Sequence, residues 1–306
     1  MQKYSIFNLI KNAFSNHQKW DLAWKDPTPK KEYDVVIIGG GGHGLATAYY
    51  LAKEHNITNV AIIEKGWIGG GNVGRNTTII RSNYMHDDNA LFSEFGMDLW
   101  RKMSQDLNYN VMFSPRGIIN LAHSDAQMNV YARRGNSMRL NGIDAELLNR
   151  EQVREIIPMA DFSENVRFPI FGGLMQPSAG TARHDAVAWG YARQADSMGV
   201  DIIQNCEVIG FDISGGKVEG VRTSRGDIKV KKIGLCVAGS TNILADKLNM
   251  TLPIETHLLQ ACVSEPVKPV LDKVVTFGAG HFYISQSDKG EMVMGGDLDG
   301  YNSYAQ

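Results

Sequence analysis

The sequence has few cysteines and no excess of charge of either sign. Cys206, Cys236 and Cys262 are odd in number and far apart, which argues against a disulfide framework and against a zinc site. Cys236 and Cys262 lie in apolar, strand-like runs, where we expect buried and inert thiols. Lysine and arginine total 31 against 33 aspartate and glutamate residues, so we expect no basic surface for nucleic acid.

The sequence also lacks a membrane-spanning run and a secretion signal. The longest uncharged stretch covers residues 35–52, but five glycines and a histidine interrupt it between positions 39 and 44. A membrane helix needs about 20 predominantly apolar residues, so this stretch suits a strand, a turn and a helix better. The polar N-terminal segment carries no small-residue cleavage site, and we predict a cytoplasmic protein without a membrane anchor.

The strongest local pattern is a strand–turn–helix–strand unit near the start of the chain. The β-branched run 33–38 predicts a buried parallel strand, and a glycine cluster follows it. Residues 45–54 have helical spacing, and residues 60–64 form a second apolar run that ends in an acid. Together these segments predict one βαβ unit.

The turn of this unit carries a dinucleotide-binding fingerprint. Gly39, Gly41 and Gly44 have the GxGxxG spacing, and Glu64 follows 20 residues after Gly44. Such glycines let the backbone approach a pyrophosphate at the helix N-terminus, and the acid binds the ribose hydroxyls. A second glycine-rich run, residues 66–81, favours FAD over NAD. A glycine-rich surface loop and a plain NAD dehydrogenase are the alternatives.

The remaining segments predict one discontinuous nucleotide-binding domain with a second domain inserted into it. Residues 1–32 are predicted to be a surface extension outside the core. The predicted helices are 87–106, 124–140, 150–157, 181–199 and 241–249. The predicted strands are 116–122, 170–176 and 232–239, an antiparallel meander over 201–230, and β-rich structure over 253–306.

Three longer motifs carry a resemblance to a known family. They are DVVIIGGGGHGLATAYYLA from residue 34, IIEKGWIGGGNVGRNTTIIRSNY from residue 62, and TARHDAVAWGYARQADSMGVDIIQNCEV from residue 181. With them, residues 20–306 resemble the beta subunits of heterotetrameric sarcosine oxidases, within the D-amino-acid-oxidase-like flavoproteins. The resemblance implies an α/β fold. A Rossmann-like FAD-binding domain of the glutathione-reductase type (33–86 and 160–249) would hold an inserted α+β antiparallel-sheet substrate domain (87–159 and 250–306).

The resemblance implies two flavins, a noncovalent FAD and a covalent FMN. The FMN would be attached through His184, with Arg183 as a nearby cation. Contacts to FAD are implied for Gly39, Gly41, Gly42, His43, Gly44, Glu64, Asn72, Arg75, Thr77, Thr78, Ile80, Val208 and Gly239. We expect His43 to make a backbone contact, the backbone of Val208 to meet adenine, and Gly239 to end the strand beneath the pyrophosphate.

The resemblance also implies sarcosine, N-methylglycine, as the substrate. Arg81 matches the arginine that pairs with the substrate carboxylate in single-subunit relatives, a role that suits a bidentate guanidinium. Tyr283 and Asp297 fall on strands that would face the flavin. Val293 stands where those relatives have a lysine that speeds the reaction with oxygen. We therefore expect FAD to react poorly with oxygen and to pass its electrons to FMN.

The implied reaction is oxidative demethylation of sarcosine to glycine, with formaldehyde or methylene-tetrahydrofolate, and hydrogen peroxide. The implied partners are alpha, gamma and delta subunits, with tetrahydrofolate held by the alpha subunit. Oxidation of another N-methyl amino acid, such as dimethylglycine or N-methylglutamate, is one alternative, and a non-catalytic scaffold subunit is another. Family members continue past the residue that matches Gln306, so we expect a fragment that binds FAD weakly.

Overall fold

The computed structural model describes residues 5–18, 22–163 and 165–298. The chain divides into two compact units. The first unit comprises Met1–Gly74 and Val187–Ile254, and the second comprises Arg75–Ala186 and Glu255–Ala305. Both units are therefore discontinuous in sequence.

The described residues form seven α-helices and fifteen strands. The helices are α1 (Ile6–Phe14), α2 (Gly42–His55), α3 (Asp87–Asp106), α4 (Asp125–Leu140), α5 (Arg150–Ile156), α6 (His184–Ser197) and α7 (Thr241–Asp246). The strands are β1 (Glu32–Ile38), β2 (Val60–Ile63), β3 (Ile79–Ile80), β4 (Ile118–Ala122), β5 (Glu146–Asn149), β6 (Gly172–Gln176), β7 (Gly180–Thr181), β8 (Asp201–Ile203), β9 (Val208–Ser214), β10 (Lys217–Thr223), β11 (Gly226–Leu235), β12 (Leu259–Pro266), β13 (Val274–Phe277), β14 (Phe282–Gln286) and β15 (Glu291–Leu298).

The first unit is built on a six-stranded sheet in the order β8-β2-β1-β11-β10-β9. The first four strands are parallel, and the last two pair antiparallel. Every residue of β2 is buried, because parallel strands in α/β proteins are covered on both faces. This burial explains why the strands read as continuous apolar runs, and it confirms the predicted βαβ unit.

The second unit is built on a seven-stranded sheet in the order β12-β15-β14-β13-β4-β6-β5. All pairs in it are antiparallel except β13 with β4, which is parallel. A separate antiparallel pair joins β3 to β7. The apolar core of the large sheet includes Ile119, Leu121, Val153 and Val275. The predicted antiparallel-rich second domain is thereby found in the described residues.

One predicted strand boundary is wrong. The sequence divides an antiparallel meander ending at Val230 from a separate strand over 232–239, whereas β11 is one strand that ends at Leu235. Its first part pairs antiparallel with β10, and its later part pairs parallel with β1. Lys229 belongs to both ladders, opposite Gly220 and opposite Glu32. No turn-forming residue interrupts the chain there, so one continuous strand forms both the ladder with β10 and the ladder with β1.

The N-terminal extension contains a helix that its weak periodicity did not predict. Ser5 caps α1 by accepting a hydrogen bond from the amide of Asn8. The apolar side chains of α1 are exposed, Phe14 by 90% and Phe7 by 79%, so the helix contributes nothing to the core. At nine residues it is short, and no helix in the described ranges has the length and apolar character to cross a bilayer.

The cysteine expectation is wrong at one position. Cys206 is buried in the core of the first unit and Cys236 is half-buried, but Cys262 is exposed. Cys262 lies on β12, an edge strand of the seven-stranded sheet that pairs with β15 along one side. An apolar run in sequence therefore belongs here to an edge strand, whose residues are largely exposed in the described structure.

Candidate functional site

The glycine fingerprint forms a tight turn between β1 and α2 in the first unit. Gly39 has a φ of +106°, and a Cβ placed on it would lie 2.3 Å from the carbonyl oxygen of Cys236. A Cβ placed on Gly44 would lie 2.0 Å from the carbonyl oxygen of Gly39. Glycine is therefore required at both positions by the protein itself, because a side chain would collide with backbone.

Gly41 and Gly42 differ from these two glycines, because a side chain would fit there. A Cβ on Gly41 would meet only the Val73 side chain at 3.8 Å, and a Cβ on Gly42 would meet it at 3.5 Å. Gly41 has a φ of −82°, which any residue adopts, and it precedes a helix start with no side-chain cap among the described residues. The first amides of a helix lack intrahelical acceptors, so this open, uncapped end fits a pyrophosphate.

Glu64 is held by the same turn. One of its carboxylate oxygens accepts a hydrogen bond from the amide of Gly40, and the other accepts one from the amide of Gly66, both at 2.8 Å. Each oxygen keeps a further lone pair for a hydroxyl donor, so the oriented carboxylate fits the ribose of an adenosine group. The chemistry of the turn and the acid thus matches the FAD predicted from sequence.

The remaining predicted cofactor residues of the first unit are His43, Asn72, Val208 and Gly239. His43 is exposed, and its carbonyl oxygen accepts a hydrogen bond from the Thr47 hydroxyl. Asn72 is exposed at the start of the 3-10 helix Asn72–Arg75, and Val208 is the buried first residue of β9. Gly239 does not end a strand as expected, because β11 stops at Leu235 and Gly239 lies in a 3-10 turn, Ala238–Ser240.

In the second unit, the predicted flavin segment runs beside the segment that leads to His184. Ile80 pairs with Gly180 across the β3–β7 ladder. Thr78 has a φ of +66°, and its carbonyl oxygen accepts a hydrogen bond from the amide of Ala182 at 3.2 Å. Thr77 is half-buried and Arg75 is exposed. The structure therefore brings together two stretches that lie about a hundred residues apart in the sequence.

His184 begins helix α6, and its ring is half-buried. Its Nδ1 atom is buried and has no hydrogen-bond partner among the described residues. Burial lowers the pKa of His184, the Asp185 carboxylate opposes this effect, and the Arg183 charge reinforces it. The lowered pKa favours the neutral ring, which is the form that a nucleophilic imidazole needs. The Arg183 guanidinium forms a bidentate ion pair with Asp185, at 3.0 and 2.8 Å, so its charge is compensated.

Arg81 belongs to a polar cluster that also contains Asn83, Tyr84, Asn120 and Arg134, which we call the Arg81 cluster. The Arg81 guanidinium donates a hydrogen bond to Oδ1 of Asn83 at 2.6 Å and lies 4.6 Å from the centre of the Tyr84 ring. Among the described acidic side chains, none is paired with Arg81. A guanidinium that is held in place but not neutralised by the protein can bind a carboxylate.

A row of hydrogen-bonded side chains leads from Arg81 to Thr276 on β13 of the seven-stranded sheet. Asn83 is fully buried, and its Nδ2 donates to Oδ1 of Asn120 at 2.7 Å. Asn120 donates in turn to the hydroxyl of Thr276, its register partner on β13. Thr276 lies opposite Tyr283 in the β13–β14 ladder. Hydrogen bonds therefore link Arg81 to Thr276, and the sheet register places Tyr283 beside Thr276.

Tyr283 lies across the neighbouring strand β15. A Cβ placed on Gly295 would come within 2.5 Å of the hydroxyl oxygen and two ring carbons of Tyr283. Glycine at 295 therefore makes room for the ring. Asp297 is on the same strand, but its side chain lies outside the described residues. Val293 is half-buried and opposite Ser285.

Several polar residues of this network were missed by the sequence interpretation. They are Asn83, Asn120, Arg134, Thr276 and the buried pair of Ser82 with Gln176, in which Gln176 binds both the amide and the hydroxyl of Ser82. Each is a single polar residue inside a strand, helix or loop. The one signal in the sequence is that the polar residues Ser82 and Asn83 directly follow Arg81.

Comparison with known sequences supports the cofactor interpretation. The family model described as FAD dependent oxidoreductase matches residues 34–305. The sarcosine oxidase subunit beta of Rhizobium meliloti (strain 1021) is 61% identical over 304 residues, covering 99% of this chain and 73% of that protein. The sarcosine oxidase subunit beta of an Arthrobacter species is 52% identical over 286 residues, covering 94% of this chain and 71% of that protein.

Comparison with solved structures confirms the predicted fold class. The L-proline dehydrogenase from P. horikoshii superimposes with a TM-score of 0.81 at 27% identity, covering 89% of this chain and 71% of that one. The glycine oxidase from Bacillus cereus has a TM-score of 0.75 at 22% identity, which concerns the fold alone. The described sheets and helices are therefore those of an FAD-binding α/β protein.

Proposed function

Since this chain belongs to the FAD-dependent oxidoreductase family, and its sarcosine oxidase beta-subunit relatives align along nearly its whole length, we propose that it is the beta subunit of a sarcosine oxidase. The observation that carries this proposal is the 61% identity over 304 residues. The uncompensated Arg81 guanidinium supports it, because the substrate is a small amino acid with one carboxylate. The assignment of residues 33–86 and 160–249 to cofactor binding, and of 87–159 and 250–306 to substrate binding, is part of this proposal.

FAD, when bound, supplies the acceptor for the hydride equivalent that leaves the N-methyl carbon of sarcosine. The chain contributes the binding groups. Glu64 would accept hydrogen bonds from the ribose hydroxyls while its carboxylate stays oriented by Gly40 and Gly66. Gly41 and Gly42 would leave the α2 N-terminus open to the pyrophosphate.

Arg81 would position sarcosine through its carboxylate. Asn83 occupies one guanidinium nitrogen and the Tyr84 ring covers one side, so the remaining N–H groups have a defined direction. A planar guanidinium binds a carboxylate through two parallel hydrogen bonds, which fixes the orientation of the amine as well. Orientation of this kind is a contribution that side chains make when the cofactor carries out the chemistry.

The reaction needs no strong side-chain base if the enzyme selects the neutral amine. Loss of the hydride equivalent converts the N-methyl group into an iminium, and one water molecule then gives glycine and formaldehyde. If tetrahydrofolate is held by an alpha subunit, the same one-carbon unit is transferred to it instead. FMN, when bound, would supply the reaction with oxygen that gives hydrogen peroxide, and Val293, which stands where the single-subunit relatives have a lysine, supports this separation of roles.

The function is tested by producing the chain together with its alpha, gamma and delta partners and measuring anaerobic flavin bleaching. We expect sarcosine to reduce the flavin faster than dimethylglycine, N-methylglutamate or proline. Faster reduction by one of the other amines would identify that amine, and not sarcosine, as the substrate. A complex in which this chain carries no flavin would make it a scaffold and would contradict the proposal.

His184 is proposed as the attachment site of FMN, because the resemblance implies it and because burial lowers the pKa of His184, which favours the neutral, nucleophilic imidazole. Replacing His184 with asparagine is expected to abolish the flavin that stays with the protein after acid precipitation, since asparagine cannot form the bond. Peptide mass spectrometry of the assembled complex measures it. The matched control is His55→Asn, an exposed histidine at the end of α2, which should retain covalent flavin. Retention of FMN by His184→Asn would reassign the attachment site.

A further inference from the structure

Two guanidinium groups meet at one buried residue of the second unit. Arg134, on α4, donates from both Nε and Nη2 to the main-chain carbonyl oxygen of Asn83. Arg81 donates to the side-chain oxygen of the same Asn83 at 2.6 Å. Asn83 is fully buried and is anchored on its other side by Asn120. Both arginines therefore act on one residue that has little freedom to move.

Among the described residues, neither guanidinium is paired with an acidic side chain. Glu94 pairs with Arg101 instead and accepts a hydrogen bond from the Ser82 hydroxyl. Burial lowers the pKa of Arg134, and the charge of Arg81 acts in the same direction. Holding two like charges close together in a half-buried position is unfavourable unless an anion joins them. A ligand carboxylate at Arg81 would supply that anion.

We propose that Arg134 is a positioning residue for the carboxylate site, which fixes Asn83, and through it the Arg81 guanidinium, and adds a second positive charge. This inference rests on the proposed function, because it takes the carboxylate of a small amino acid as the ligand of Arg81. The two donors of Arg134, Nε and Nη2, restrain the main chain of Asn83. The Asn83 side chain then directs Arg81. Arg134 does not touch the substrate in this arrangement.

The experiment compares Arg134→Gln and Arg134→Lys with the unmodified chain in the flavin-loaded complex. Glutamine removes the charge and the paired guanidinium donors, whereas lysine keeps the charge but lacks the paired donors. The probe is butyrate, in which a methylene replaces the amine of sarcosine, so it binds without being oxidised. Butyramide, the same molecule without the negative charge, is the ligand control. Dissociation constants are measured by titration calorimetry, alongside kcat and KM for sarcosine.

We expect Arg134→Gln to weaken butyrate binding by about tenfold and to raise the KM for sarcosine by a similar factor, with a smaller change in kcat. Arg134→Lys should fall between Arg134→Gln and the unmodified chain, because the charge remains but Asn83 is less restrained. Butyramide binding should change little in either variant. Arg133→Gln, the exposed neighbour on the same helix, is the matched control and should leave both affinities unchanged.

Three results would overturn the inference. Unchanged butyrate affinity in Arg134→Gln would mean that Arg134 does not act on the site. Equal losses for butyrate and butyramide would indicate a general structural role. Full affinity in Arg134→Lys would remove the positioning role, and this variant also provides the test if Arg134→Gln fails to fold. Failure of the proposed function itself would be seen separately, as a lack of sarcosine turnover in the unmodified complex.

Discussion

Replacing Arg81 with glutamine is expected to lower kcat/KM for sarcosine by about three orders of magnitude, because the bidentate ion pair proposed between Arg81 and the substrate carboxylate would be lost. Arg81→Lys should lose less, since it keeps the charge but cannot form two parallel hydrogen bonds. Flavin content should stay unchanged in both variants, because Arg81 is outside the glycine turn that is proposed to hold FAD. The measurement is steady-state turnover by the assembled complex.

The control for this prediction is Arg139→Gln. Arg139 lies on α4, is exposed, and donates to a main-chain carbonyl oxygen, that of Ala145 at 2.8 Å. It therefore resembles the arginines of the Arg81 cluster in its bonding but not in its location. Turnover by Arg139→Gln should match the unmodified chain. If Arg81→Gln retained its full kcat/KM with sarcosine, another group would have to bind the carboxylate, and Arg81 would lose its assigned role.

Alanine at Gly44 is expected to disrupt folding, whereas alanine at Gly41 is not. Gly41→Ala should leave thermal unfolding unchanged, because its Cβ meets only Val73 at 3.8 Å and its φ of −82° is allowed for alanine. Its FAD affinity should nevertheless fall by about a hundredfold, because the methyl group occupies the approach of the pyrophosphate. Gly44→Ala should unfold the first unit, since its Cβ would lie 2.0 Å from the oxygen of Gly39.

These effects are measured by thermal unfolding without flavin and by fluorescence titration with FAD. Gly96→Ala is the matched control, because a Cβ on Gly96 in α3 meets nothing within 4 Å. It should keep the FAD affinity and stability of the unmodified chain, or gain slightly in stability from helix propensity. Unimpaired FAD binding by a folded Gly41→Ala protein would argue that the pyrophosphate does not approach this turn.

The elements that sequence predicted well have regular local patterns. Helix α3 was expected over 87–106 and is found at Asp87–Asp106, because its apolar residues repeat at helical spacing. The glycine turn was predicted with its acid, because strand, glycines, helix and Glu64 follow one another within about 30 residues. Long-range pairing gives no such local signal. This explains why β11 was divided in two and why β12 was expected to be buried.

The proposed cofactor site was more predictable from sequence than the proposed substrate site, and the reason is again whether the signal is local. Glu64 was predicted from its distance to the glycines, and the structure adds only that Gly40 and Gly66 orient it. Arg81 was found through a resemblance between motifs. By contrast, Asn120 and Arg134 lie 37 and 51 positions from Asn83, and no spacing rule connects them. Their proximity to Asn83 depends on how α4 packs against the seven-stranded sheet that contains β4.

The sequence by itself determined the fold class and the dinucleotide turn, and the resemblance of its motifs indicated the family. The fold class and the turn depend on backbone requirements that act over short stretches, such as the positive φ of Gly39 and the apolar periods of strands and helices. Only the tertiary structure decided which polar groups surround Arg81, and that it has no carboxylate partner among the described residues. The physical reason is that the energy of a buried charge depends on its neighbours in space, which sheet register and helix packing determine.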